Sequence, residues 1–153
     1  MDPKEFAIEQ LISFSTENAE AIRNLAKQLG NNYKELADND LREIVTSKQS
    51  YLFLARHIPT QKVAGMIMAN VYRIPYVKKA YLDDLIVDPQ YRGKGVGKAL
   101  MSYAVDFAKE KGAAYADFTA RPIREESNKL YEKLGFKKRD TNVYRLIFDY
   151  GKV

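Results

Sequence analysis

Glycines alternate with basic residues in the stretch RGKGVGK, residues 92–98. The residues that an anion would meet there are Arg92, Gly93, Lys94, Gly95, Gly97 and Lys98. The apolar residues before this stretch predict a strand, and those after it predict a helix. A glycine turn that opens a helix leaves the first amides of the helix unpaired at the positive end of its dipole. The sequence therefore predicts a phosphate site, with a tight turn that binds nothing as the alternative.

The two common nucleotide motifs do not fit this stretch. A P-loop needs a serine or threonine after its Gly-Lys pair to hold magnesium, but here Gly95 follows Lys94 and Ala99 follows Lys98. The dinucleotide pattern G-x-G-x-x-G fails as well, because its third glycine position falls on Lys98 or Leu100. Both nucleotide classes are therefore disfavoured.

Two carboxylates, Asp83 and Asp84, lie in the strand that leads into the glycines. Neighbouring residues of a strand point to opposite faces, so we expect one carboxylate to face the ligand and the other to face away. A carboxylate in that position can act as a general base, directly or through water. The alternative is an acidic pair that stabilises nearby basic residues or caps a strand end.

The remaining elements follow from apolar periodicity. Strands are predicted at 6–14, 51–55, 62–72, 80–87, 114–120 and 143–150. Helices are predicted from Thr16 to a C-cap at Gly30, from the pair Asp40 and Glu43, from Val96 to Gly112, and over 125–135. This order predicts an α/β (α+β) fold in which one mixed, mostly antiparallel sheet is flanked by about four helices.

The composition is that of one globular domain, residues 1–153, with 46% hydrophobic residues and a net charge of +5. The chain has no cysteine and one histidine, so neither a disulfide framework nor a metal site is expected. No signal peptide or membrane-spanning run is present in the sequence, which predicts a soluble, cytoplasmic protein without a membrane partner. The positive charge favours an anionic partner, but its spread along the chain disfavours nucleic acid.

Two separated motifs resemble one protein family. RGKGVG matches the R/Q-x-x-G-x-G/A signature of the GNAT family of acetyl-coenzyme A dependent N-acetyltransferases, and SNKLYEKLGF (127–136) is similar to the LYEKLGF stretch of that family. The predicted order of strands and helices resembles the family fold as well. The C-terminal half looks most like diamine and polyamine acetyltransferases of the spermidine/spermine type, in which a YLEDFFV-type strand takes the place of YLDDLIV.

The resemblance implies how acetyl-CoA, the expected co-substrate, would be held. The amides of residues 92–98, including that of Val96, would bind its pyrophosphate, and the backbone of Leu85, Ile86 and Val87 would pair with its pantetheine arm. Many relatives carry a pantetheine-binding asparagine at the position that Arg124 occupies here. Either Arg124 or Asn128 reaches the cofactor instead, or that contact is absent.

The resemblance also implies the reaction, which is direct attack of a primary amine on the thioester within a ternary complex. Tyr131 stands where the family places its general acid, and Asp83 is the expected base or base-orienting group. Glu43 is a second candidate, for binding a cationic acceptor. The acceptor is expected to be a polyamine, an amino acid or another small amine, and homodimers are common in similar proteins.

Other functions remain open on the sequence alone. A non-catalytic acyl-CoA sensor would keep the glycine loop but would need neither Asp83 nor Tyr131. A protein N-terminal or lysine acetyltransferase would share the chemistry and differ in the acceptor. A nucleic-acid binding module would need its basic residues on one surface.

Overall fold

The computed structural model describes residues 1–29 and 35–148. The strands are β1 (Phe6–Gln10), β2 (Ser50–His57), β3 (Val63–Ile74), β4 (Val77–Val87) and β5 (Ala116–Asp117). The helices are α1 (Thr16–Ala26), α2 (Asp38–Thr46), α3 (Val96–Glu110) and α4 (Glu125–Lys133), with short 3-10 turns at Lys27–Leu29 and Pro89–Tyr91. No helix within the described ranges is long and apolar enough to cross a membrane.

The strands form one sheet in the order β1-β2-β3-β4-β5. The pairs from β1 to β4 are antiparallel, and β5 is parallel to β4. A mixed, mostly antiparallel sheet with four helices confirms the fold class that the sequence predicts. The antiparallel pairing of β2 with β3 follows from the short loop between them.

The sheet carries a core on each face because its strands alternate. On β2, Phe53 belongs to the apolar cluster under α3, whereas Leu52 and Leu54 belong to the cluster under α1 and α2. Leu100 of α3 is buried in the first cluster, and Ile22 of α1 is buried in the second. The sheet is therefore sandwiched between α3 and the α1–α2 pair.

Two helix starts can be traced to capping side chains. The Ser15 hydroxyl accepts a hydrogen bond from the Asn18 amide at 3.1 Å, which starts α1 at the predicted Thr16. The Asp40 carboxylate accepts from the Ala37 amide at 3.0 Å, so α2 begins at Asp38, two residues before the predicted start. The predicted C-cap at Gly30 lies outside the described residues.

The C-terminal strand prediction differs from the structure. Residues 143–148 form no strand, and β5 is only two residues long instead of spanning 114–120. Five apolar side chains of this segment are exposed: Val143, Tyr144, Leu146, Ile147 and Phe148. Alternation gives a segment one apolar face but does not supply the neighbouring strand that a ladder requires, and residues 149–150 of the predicted strand lie outside the described residues.

Leu100 provides a test of how α3 packs on the sheet. Its side chain is 0% exposed, so Leu100→Ala is expected to lower the free energy of unfolding by about 2–5 kcal/mol. Leu146 is 78% exposed, and the same change there is expected to cost less than about 0.5 kcal/mol. Urea unfolding followed by circular dichroism measures both. A loss at Leu146 as large as that at Leu100 would contradict the exposed position of residues 143–148.

Candidate active site

The glycine loop ends β4 and starts α3. Gly93 and Gly95 both adopt φ +77°, a left-handed conformation that glycine reaches without strain. The first bond of α3 runs from the Ala99 amide to the Gly95 carbonyl at 3.0 Å. The amides that precede Ala99 in α3 therefore have no partner within the helix, as an anion site requires.

The basic residues of the loop have different surroundings. Arg92 donates from Nε to the Val87 carbonyl at 3.2 Å, which ties the loop to the end of β4. Lys98 is exposed and lines the adjacent cleft. The Lys94 ammonium instead forms an ion pair with Glu5 at 2.6 Å and does not line the cleft. Lys98 and Arg92 are thus the loop cations that a ligand in the cleft would meet.

One cleft of about 710 Å³ brings most of the predicted cofactor residues together. Its walls contain nine of them: Leu85, Ile86, Val87, Arg92, Gly93, Gly95, Val96, Gly97 and Lys98. Arg124, which precedes α4, and residues of α4 including Tyr131 line the cleft as well. No acidic residue lines this cleft in the described part of the chain.

The cleft exists because β5 leaves β4 early. These strands pair only at Ala80 with Ala116 and at Tyr81 with Asp117. Beyond Tyr81, the edge of β4 that faces away from β3 has no strand partner within residues 1–29 and 35–148. Residues 85–87 therefore present a strand edge without a neighbouring strand to an extended, amide-bearing ligand, although the Val87 carbonyl already accepts from Arg92.

Tyr131 lies half-buried on α4, with its ring against Phe118 at a centroid distance of 4.5 Å. Burial raises the pKa of the Tyr131 phenol, while the nearby Arg124 charge and a hydrogen bond with Ser127 act in the opposite direction. A phenol with a raised pKa stays protonated at neutral pH. Tyr131 can therefore serve as a proton donor in the cleft.

A β-bulge changes where the two carboxylates point. Met66 pairs with Ile86 and Met68 pairs with Asp83, so β4 contains one residue more than β3 over this stretch. Asp84 lies at the bulge and adopts φ +50°. The bulge therefore breaks the simple alternation from which opposite faces were expected.

Both carboxylates lie on the face covered by α1 and α2, which corrects that expectation. The Asp83 carboxylate accepts a hydrogen bond from the Asn70 amide at 3.0 Å, and Asp84 lines a cavity beside Met66 and Met68. Burial raises the pKa of Asp83, the neighbouring Asp84 charge raises it further, and the Asn70 hydrogen bond opposes both effects. Asp84 is exposed to solvent, but partial burial of its carboxyl group against apolar walls raises its pKa.

Other candidate residues lie elsewhere. The Asn128 side chain donates to the carbonyls of Arg121 and Pro122, both at 3.3 Å, and does not line the cleft, whereas Arg124 does. Glu43 is exposed on α2 and lines neither cavity described. Sequence reasoning missed Asn70, although a lone amide in the apolar strand KVAGMIMANVY is a signal that points to it. Among the residues described, no group of three or more His, Asp or Glu side chains is arranged to hold a metal ion.

Comparison with known proteins identifies the family. Residues 16–136 match the model of the acetyltransferase (GNAT) family, and the chain belongs to that family. The resemblance to the GNAT family noted in the sequence is thereby confirmed.

Individual relatives agree with this assignment. The chain is 37% identical over 86 residues to glucosamine 6-phosphate N-acetyltransferase of Trypanosoma brucei brucei, a match that covers 53% of this chain and 55% of the relative. Two other curated relatives are matched over 36% and 29% of their length, so the chain spans about half or less of these three relatives.

Solved structures share the fold over nearly the whole chain. An aminoglycoside acetyltransferase from an uncultured soil metagenomic sample, solved with trehalose, superposes with a TM-score of 0.79 at 21% identity, covering 95% of this chain and 99% of that one. The aminoglycoside N-acetyltransferase AAC(6')-Iy in complex with CoA superposes with a TM-score of 0.77 at 22% identity, covering 93% and 94%.

The raised pKa of Asp84 leads to a prediction about stability. A carboxyl group whose pKa is higher in the folded protein binds more protons there, so its contribution lowers the free energy of unfolding as the pH rises above 3.8. Asp84→Asn removes the ionisable group and with it this pH-dependent decrease in the free energy of unfolding. Relative to wild type, the variant is therefore expected to become increasingly stable as the pH rises from about 4 to 7.

Urea unfolding across that pH range measures the effect. Asparagine also tolerates the positive φ of residue 84, but that benefit does not change with pH. Glu43→Gln, which removes an exposed carboxylate from α2, is the matched control for loss of one negative charge. A stability difference between Asp84→Asn and wild type that is constant with pH would contradict the burial of Asp84.

Proposed function

We propose that this protein transfers the acetyl group of acetyl-CoA to a primary amine by direct attack within a ternary complex. The observation that carries the proposal is a single cleft that combines unpaired loop amides, a free backbone edge on β4 and the Tyr131 hydroxyl. Membership of the GNAT family supports it. The relatives whose names specify amino-sugar or aminoglycoside acetylation support an amine as the acceptor.

The residues of the cleft fit the two ends of acetyl-CoA. The amides of the glycine loop, with Arg92 and Lys98 beside them, suit its diphosphate. The free edge of residues 85–87 suits the two amides of the pantetheine arm, which can add to the sheet as an extra strand. Such backbone recognition requires no particular side chain at these positions.

The chemistry needs one proton acceptor and one proton donor. An alkylammonium has a pKa near ~10.4, so the amine must lose a proton before its nitrogen can attack. Asp83, whose pKa is raised, takes that proton directly or through water. The new N–C bond replaces the C–S bond of the thioester, and the departing thiolate takes a proton from Tyr131. The chain has no cysteine to carry the acetyl group, which supports direct transfer.

The finer features expected from the resemblance belong to the same proposal. They are a polyamine, amino acid or other small amine as acceptor, a cytoplasmic location and a homodimer.

Lys98 and Lys94 form a matched pair for testing the cleft. Lys98 lines it, so Lys98→Ala is expected to weaken acetyl-CoA binding about fivefold, equivalent to about 1 kcal/mol for an exposed ion pair. Lys94 is paired with Glu5, so Lys94→Ala is expected to change the affinity less than about twofold. Isothermal titration calorimetry measures both. Equal losses in the two variants would contradict the placement of the diphosphate, and an absence of saturable binding by wild type would overturn the proposed function.

Tyr131→Phe and Asp83→Asn test the catalytic roles. Each is expected to lower kcat by about 10²-fold or more, because general acid–base catalysis contributes that much, with little change in acetyl-CoA affinity. A thiol-release assay over a panel of amines measures turnover. Tyr103→Phe, on α3 and outside the cleft, is the control and should retain wild-type turnover. Unchanged turnover in Tyr131→Phe or Asp83→Asn would remove the role of that residue, and binding without turnover of any amine would favour an acyl-CoA sensor.

A further inference from the structure

A second cavity, of about 240 Å³, lies on the face of the sheet covered by α1 and α2. Eight of its eleven lining residues are apolar, among them Ile22 of α1, Ile44 of α2 and the strand residues Met66 and Met68. The other three are acidic: Glu35, Asp40 and Asp84. No basic residue lines this cavity in the described part of the chain.

The cavity adjoins the cleft at the bulge in β4. Asp84 lines the cavity and the next residue, Leu85, lines the cleft, while Leu29 lines both. The cleft side of this junction is where the backbone of residues 85–87 is free. The cavity and the cleft therefore meet at the bulged end of β4.

The charges at the cavity all have one sign. Glu35 and Asp40 are exposed, and Asp40 already accepts the Ala37 amide. Arg23 of α1 donates to Asp38 and to the Leu36 carbonyl, interacts electrostatically with Glu35, and does not itself line the cavity. A cationic ligand is attracted by these carboxylates, whereas a phosphate or carboxylate on the ligand is repelled.

The apolar walls restrict the ligand further. A sugar carries several hydroxyl groups, and burying them against leucine, isoleucine and methionine side chains leaves their hydrogen bonds unmade. A hydrocarbon stem meets the same walls favourably, and flexible methionines such as Met66 and Met68 adapt to its shape. The apolar walls therefore favour a hydrocarbon stem, and the carboxylates favour a cationic group at the end of the same ligand.

We propose that this cavity binds the acetyl acceptor, and that the acceptor is a primary amine on a hydrocarbon stem with no anionic group. A phosphorylated or polyhydroxylated amino sugar is thereby disfavoured. The inference rests on the proposed function for the identity of the reaction, but binding of the amine can be measured separately.

A series of n-alkylamines from propylamine to hexylamine tests the hydrocarbon requirement. Binding to the protein saturated with CoA is measured by calorimetry, and turnover by thiol release. Each added methylene is expected to tighten binding about three- to fourfold while the chain remains within the cavity. An affinity that is flat along the series would overturn the proposal. Ile44→Phe, which adds bulk to the cavity wall, is expected to weaken the binding of hexylamine more than that of propylamine. The melting temperature of this variant shows whether it folds.

Anionic analogues test the charge requirement. Hexylamine is compared with 6-aminohexanoate, and glucosamine with glucosamine 6-phosphate. The anionic member of each pair is expected to bind at least about tenfold more weakly, and Glu35→Gln is expected to reduce that difference. Glu110→Gln, at an exposed position of α3 outside both cavities, is the control and should leave the difference unchanged. Glucosamine 6-phosphate binding more tightly than hexylamine would overturn the proposal.

The two proposals fail in distinguishable ways. If acetyl-CoA binds and short amines release thiol without any dependence on chain length or charge, the acceptor class is wrong and the proposed function stands. If alkylamines bind with the expected dependence but no amine releases thiol, the cavity assignment stands and the proposed function fails.

Discussion

The site depends on the one-residue bulge in β4. Without it, the side chains beyond residue 84 would remain on the faces set by the alternation of Ala80 and Leu82. With it, Leu85 and Val87 pack toward α3, Ile86 packs toward α1, and both aspartates lie on the α1–α2 face. Because of the bulge, residues 85–87 line the cleft while Asp84 lines the neighbouring cavity.

Close packing between α3 and the sheet fixes the glycine loop relative to the bulge. A Cβ added at Gly65 would lie 2.7 Å from the Ile86 carbonyl oxygen and 3.1 Å from Leu100 of α3, so this position has no room for a side chain. A Cβ at Gly97 would lie 3.4 Å from the Val87 side chain. These contacts, together with the bond from Arg92 to the Val87 carbonyl, hold the start of α3 beside the end of β4. The free amides and the free strand edge consequently belong to one cleft.

The local part of this arrangement can be predicted from sequence, and the non-local part cannot. Residues 92–98 identify the loop because the turn needs glycine and the helix start supplies the amides. The positions of Asp83 and Asp84 depend on how β4 pairs with β3, which no spacing within β4 reveals. The alternation in residues 143–150 predicts a strand, but alternation cannot show whether a partner strand is available, and residues 143–148 form no strand. The surroundings of Asn128 could not be predicted either, because its side-chain amide donates hydrogen bonds to carbonyls of the preceding loop.

The chain has a net charge of +5, but positive and negative side chains are separated at the site. In the described part of the chain, the cleft is lined by basic residues, Arg92, Lys98 and Arg124, and by no acidic ones, whereas the adjoining cavity shows the reverse. An anionic thioester carrier and a cationic amine are therefore each attracted to one side of the bulged strand and repelled from the other. Charge separation of this kind opposes binding of either substrate in the wrong place. Under the proposed function, it would also concentrate the amine beside Asp84, whose neighbour Asp83 has a raised pKa and is the proposed proton acceptor.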